Sequence, residues 1–215
     1  MPELSFAVLN AEPVTYAAAP LLEMEVHVAN TTDEPIHSVA LRCQIQIETR
    51  RRRYSSDEHE SLRDLFGEPE RWSQTLHSML WTISSAVVQP FDKCTTVKIP
   101  VPCTYDFNVA AAKYFYGLED GEVPLTLLFS GTVFYESSHG DLQVAQIPWD
   151  REAGYQFPVR VWKEMMDHYY PNSAWLCLRR DAFDQLYRYK IRHSLPSWEQ
   201  VIERLLAVEG EAMST

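Results

Sequence analysis

Residues 21–47 read LLEMEVHVANTTDEPIHSVALRCQIQI, two alternating arms around a polar centre. Leu22, Met24, Val26 and Val28 alternate with Glu23, Glu25 and His27; Val39, Leu41, Cys43, Ile45 and Ile47 alternate with Ala40, Arg42, Gln44 and Gln46. Successive strand side chains point to opposite faces, so a period of two marks strands with one buried and one wet face. Asn30 to Pro35 supplies turn chemistry, and the expected unit is an antiparallel hairpin. Cys43 lies on the apolar set, where a packed thiol is expected.

Outward from this pair, strands are expected at Leu4 to Leu9, Met79 to Val88, Thr95 to Val101, Leu125 to Tyr135 and Leu142 to Ile147. Pro90, Pro100, Pro102 and Pro148 belong at strand ends or edges, because a central strand cannot tolerate a missing N–H. Gly131 interrupts LLFSGTVFY, where a bulge or a close backbone approach is expected. Two helices break the series. One opens on a capping box of Ser55 and Glu58 and runs over Asp57 to Phe66. The other is FNVAAAKYFYGL, with Asp106 as its cap. After Trp149 the pattern turns helical: Pro158 starts VRVWKEMMDHYY, AWLCL is a short strand or link, Asp181 caps AFDQLYRYKIRH, and Ser197 with Gln200 caps WEQVIERLLAV.

The fold class expected is therefore α+β, an antiparallel β-sandwich-like (Ig-like) region over residues 1–150 followed by a helical region over 151–207 and a disordered tail over 208–215. Composition agrees. Of 215 residues, 46% are hydrophobic and 23% charged, enough to build a core and to exclude a disordered or low-complexity chain. The net charge is −11, which sets the field of the molecule against nucleic acid and anionic membranes. Residues 172–215 hold six bases and six acids, so only there does charge leave a nucleic-acid reading open. The N-terminus has no basic segment ahead of an apolar one, no stretch approaches a membrane span, and the chain reads as cytoplasmic.

The string from Thr104, TYDFNVAAAKYFYGLEDGEVPLTLLFSGTVFY, then IPWDREAGYQFPV, WKEMMDHYYPNSAWLCL and LPSWEQVIERLL, resembles an uncharacterised, mainly actinobacterial family of unknown function whose genes often lie near those of uptake NiFe hydrogenases. The resemblance implies an accessory role in hydrogenase assembly or electron transfer and implies no catalytic residue. Residues 174–206, from AWLCL to the last helix, also look like the ribbon-helix-helix unit of DNA-binding regulators, whose paired strands read the major groove. Neither face of this strand (Trp175, Cys177, Arg179 or Ala174, Leu176, Leu178, Arg180) suits base reading, while dimerisation by strand pairing stays open.

Chemistry is sparse. His27, His37, His59, His77, His139, His168 and His193 include no short-range ligand pair, and His139 with Asp141 sits in a turn; no metal or cofactor is expected. His27 is expected beside a cross-strand acid. Cys43, Cys94, Cys103 and Cys177 form no CxxC pair, and an extended TTVKIPVP separates Cys94 from Cys103 too far for a disulfide. No phosphate loop, dinucleotide glycine pattern or nucleophile elbow occurs, so an enzyme or small-ligand binder is the minority reading. Arg50, Arg51, Arg52 and Arg53 concentrate positive charge, either as a solvated strand end pairing with Asp57, Glu58 or Glu60 or as an anion or partner contact. Trp149, Trp162, Tyr169, Tyr170 and Trp175 either glue the two regions together or join that contact surface. The expected function is a noncatalytic accessory protein that binds another protein, a hydrogenase subunit or maturation factor; a DNA-binding regulator is the alternative.

Overall fold

The computed structural model describes residues 2–106, 108–137, 139–174 and 176–213. The alternation in residues 21–47 produces two strands, β2 (Leu21–Asn30) and β3 (Ile36–Ile47), yet they do not pair with each other. β2 lies between β1 (Leu4–Pro13) and β5 (Cys94–Pro102), whereas β3 lies between β4 (Met79–Val88) and β6 (Glu122–Glu136). The expected hairpin is thus an arch between two antiparallel sheets. Alternation reports which face is buried and is silent about which strand lies alongside. Here both arms face the same core from opposite sides, and Leu22, Met24, Val26, Val28, Val39, Leu41, Cys43, Ile45 and Ile47 are all buried. Phe6 of β1 stacks on Phe129 of β6 at 4.2 Å, joining the two layers.

An arch must carry its backbone polar groups across the sandwich. Asn30, only 4% exposed, satisfies them. Its Nδ2 donates to the Glu34 carbonyl at 2.8 Å and to the Asp92 carbonyl at 3.1 Å, and its Oδ1 accepts from the Thr32 N–H at 3.1 Å and hydroxyl at 2.8 Å. Its own N–H donates to the Lys93 carbonyl at 2.8 Å. Asp92 and Lys93 belong to the β4–β5 connection, which also changes sheets, so one side chain pins both crossings.

β6 is long enough to hold two partners end to end. β7 (Leu142–Gln146) pairs with residues 132–136 and β8 (Glu152–Pro158) with residues 122–128, both on the edge away from β3. Gly131 lies between them with φ +141°, and a Cβ there would stand 2.1 Å from the Ala40 carbonyl of β3. The close approach expected at this glycine is present. Pro100 and Pro102 lie in β5, an edge strand, as the missing N–H requires.

Among the described residues, five α-helices belong with the sheets: α1 (Ser56–Ser61), α2 (Arg63–Phe66) and α3 (Trp72–Thr75) between β3 and β4, α4 (Val109–Gly117) before β6, and α5 (Val159–Tyr169) after β8. The Ser55–Glu58 capping box is complete. α4 is capped by Asn108, not Asp106: Oδ1 accepts from the Ala111 N–H at 3.0 Å while Nδ2 donates to the Leu80 and Trp81 carbonyls at 3.0 and 2.7 Å. A carboxylate could not also donate to β4. Phe115 of α4, Phe157 of β8 and Trp162 of α5 form one aromatic cluster with Trp81 of β4.

The chain divides into Met1–Ser173 and Ala174–Thr215, so the expected boundary at residue 150 moves to Ser173. β8 is the reason. Ala153, Tyr155 and Phe157 alternate with Glu152, Gly154 and Gln156, and this strand holds 152–158 in the second sheet rather than in a helical region. The second unit contains α6 (Arg180–Arg192) and α7 (Trp198–Met213). Arg179 occupies the α6 cap position while Asp181 lies in the first turn, 3.2 Å from Arg179. The described residues of AWLCL form no strand. Ser197 accepts from the Gln200 N–H at 3.2 Å as expected, and α7 runs past residue 207, where a disordered tail was expected to begin.

Asn30→Ala removes four side-chain hydrogen bonds from a buried arch, and urea unfolding should show a loss of about 2–4 kcal/mol. A loss under about 0.5 kcal/mol would mean the crossings are held by something else.

Candidate functional site

β3 runs out at Ile47 into a 3₁₀ turn, Thr49–Arg51, which fans the four arginines apart. Arg52 turns inward and spends all five of its N–H donors. Nε donates to the Glu122 carbonyl at 3.2 Å, Nη1 to Glu58 at 2.7 Å and the Arg53 carbonyl at 3.3 Å, and Nη2 to Glu58 at 2.8 Å and the Asp120 carbonyl at 2.5 Å. Glu58 also accepts from the Ser55 N–H at 3.0 Å and the Glu119 N–H at 2.9 Å. This fork-on-carboxylate pair, 8% and 4% exposed, ties the start of α1 to the turn between α4 and β6. Burial works to raise the Glu58 pKa, but the Arg52 guanidinium and the two backbone N–H groups outweigh it and hold the carboxyl below its ordinary range. The strand-end reading of the arginines is right about the partner for Arg52 and wrong about its exposure.

The other three arginines remain on the surface. Arg50 directs Nε to the Leu76 carbonyl, and Arg50, Arg51 and Arg53 have no carboxylate partner among the described residues. Arg50 and Arg53 rim an open depression of about 640 Å³ floored by Tyr54, His59, Trp72 and Leu76. The floor is rigid: Tyr54 meets Trp72 edge-on at 5.1 Å, the His59 ring lies 4.6 Å from Trp72, and the Trp72 indole N–H donates to the Gly67 carbonyl at 2.9 Å. Tyr54 donates to the Thr49 carbonyl at 2.8 Å, so the 2.9 Å bond between hydroxyls has buried Tyr114 as donor. Burial raises the pKa of both phenols. Cations around an aromatic floor can take carboxylates on the rim and an apolar or aromatic side chain below. His59 and Trp72 were not singled out by sequence, because only the fold of α1–α3 brings them to the arginines.

The aromatic candidates divide. Trp149 is 93% exposed. Trp162 is buried against Phe115 at 5.4 Å, Tyr169 donates to the Ala17 carbonyl at 2.8 Å, and Tyr170 packs on Tyr105 at 5.3 Å, so these three consolidate the first unit. Trp175 lies outside the described residues. His27 stands opposite Ala7 and Thr96, not an acid. Among the described residues, no group of three His, Cys, Asp or Glu side chains is placed to hold a metal ion, and no helix is long and apolar enough to cross a membrane. The four cysteines are free thiols. Burial pushes Cys43 up to about 12 and raises Cys103 as well, removing the thiolate that nucleophilic chemistry needs.

Glu58→Gln leaves Arg52 a buried, uncompensated charge and should cost about 3–5 kcal/mol in urea unfolding. Because the folded Glu58 pKa lies below its ordinary 4.5, the stabilisation is complete above that value and is lost as pH falls through the folded pKa. Unfolding followed from about pH 7 to about pH 3 should therefore show an acid-side loss that the Gln variant lacks. With a small thiol reagent, Cys94 and Cys177 should react at once and Cys43 and Cys103 only after denaturation; four fast thiols would contradict the burial.

Comparison with solved structures finds loose likenesses. The CARDB domain of a Pyrococcus furiosus protein, solved with two metal ions, aligns at 11% identity over 73% of this chain and 91% of its own, with a TM-score of 0.29. β-Glucosidase 3B from Thermotoga neapolitana, solved with α-D-glucose, aligns at 11% identity over 72% of this chain and 17% of its own, with a TM-score of 0.28. No curated protein matches the chain significantly in sequence. Residues 1–214 match a family of unknown function, DUF6084, and the chain belongs to that family.

Proposed function

We propose that this chain is a noncatalytic cytoplasmic accessory protein of NiFe-hydrogenase assembly, acting by binding a hydrogenase subunit or maturation factor through the arginine-rimmed depression. The observation that carries the binding surface is the set of three cations, Arg50, Arg51 and Arg53, without carboxylate partners among the described residues on a chain of net charge −11. Buried Arg52 fixes the backbone from which Arg51 and Arg53 project, so less side-chain and loop freedom is lost on contact. Three cations amid a strongly anionic surface suit a short acidic protein segment better than a nucleic-acid backbone, whose binding grows with each phosphate neutralised. The hydrogenase context is carried by the sequence resemblance alone.

Immobilised chain, exposed to lysate of its host, should retain a hydrogenase subunit or maturation factor, and Arg50→Glu with Arg53→Glu should lower the yield at least about tenfold through like-charge repulsion. Retention of neither class of protein would remove the proposal. Retention unaffected by the charge reversals would move the contact elsewhere on the chain.

A further inference from the structure

The second unit has too little interior. Among its described side chains Val201 alone is fully buried, while α6 exposes Phe183, Tyr187 and Ile191 and α7 exposes Ile202, Leu205 and Leu206, at 39–61% exposure. Phe183, Tyr187 and Ile191 are four residues apart and form one stripe; Ile202, Leu205 and Leu206 form another. Phe183 and Tyr187 contact the Trp198 ring at 5.3 and 6.3 Å, fixing the two helices as a pair with apolar surface left over. About forty residues rarely enclose a core without a metal, a disulfide or another chain.

We infer that the covering partner is a second copy of this unit, so that the protein is a homodimer closed by four helices. Charge selects that occupant. α6 carries Arg180, Arg188, Lys190 and Arg192 against Asp181 and Asp184, whereas the described side chains of α7 carry Glu199 and Glu203 against Arg204. A partner of either charge would be repelled by one helix. A second copy, related by a two-fold axis, sets basic α6 against acidic α7 twice. The unit as a whole is neutral, with six bases and six acids from residue 172 onward, so its self-association meets no net repulsion, unlike that of the anionic remainder.

In solution the full chain should have twice the 24.9 kDa mass of one copy by light scattering at micromolar concentration. Ile191→Glu with Leu206→Glu, both at exposed positions, should give a monomer with unchanged helical circular dichroism. Glu199→Lys with Glu203→Lys, and separately Arg188→Glu with Arg192→Glu, should each weaken dimerisation about tenfold or more, and mixing the two variants should restore it, since each reversed helix then meets its complement. This rescue decides the matter even if the apolar variant fails to fold. A monomeric parent chain would overturn the inference, as would a dimer indifferent to every substitution or a mixture no tighter than its components. None of these outcomes bears on whether the arginine-rimmed depression binds its partner.

Discussion

The sandwich depends on getting two chain crossings from one sheet to the other without stranding a polar group. Sheets packed face to face lie about 10 Å apart, and every residue in the gap brings an N–H and a carbonyl that water no longer serves. Asn30 meets that constraint because an amide both donates and accepts, and it uses each capacity twice. With the crossings fixed, β2 and β3 must present their apolar faces to each other across the core, and the buried rows from Leu22 to Val28 and from Val39 to Ile47 follow. Aspartate, which donates nothing when ionised, could not serve both sides.

Arg52 and Glu58 do a comparable job at the outer end of β3. A buried pair of opposite charges is costly to desolvate and is tolerated only when the remaining donors and lone pairs are served. Here the guanidinium exhausts its five donors and the carboxylate accepts four bonds. The outcome is a rigid post holding the 3₁₀ turn, the start of α1 and the turn before β6. One arginine of four is consumed in holding the backbone from which its neighbours reach solvent.

What the sequence made legible was local. Alternation located β2 and all of β3 but its first three residues, β4 was read at its observed bounds, and the Ser55–Glu58 box marked α1. Long-range choices were hidden: the arch passes for a hairpin because period two carries no information on neighbours, and β8 passes for helix because it is short and precedes strongly helical residues. Asn108 displaced Asp106 as a cap through a tie to β4, a strand some thirty positions away. The depression was half legible. Its arginines stand together in the chain, while His59 and Trp72 reach them only once α1–α3 fold back.

β7 and β8 share one flank of β6, and that arrangement bears on how the protein avoids clumping. An unbroken border strand offers a row of free N–H and carbonyl groups to which another polypeptide can zip. Here the border is cut into pieces of five and seven residues, and the segment between them, with Trp149 outward, leaves the ladder. An incoming strand would lose registry at the gap. The split between β7 and β8 thereby doubles as a guard against fibrillar stacking along that side.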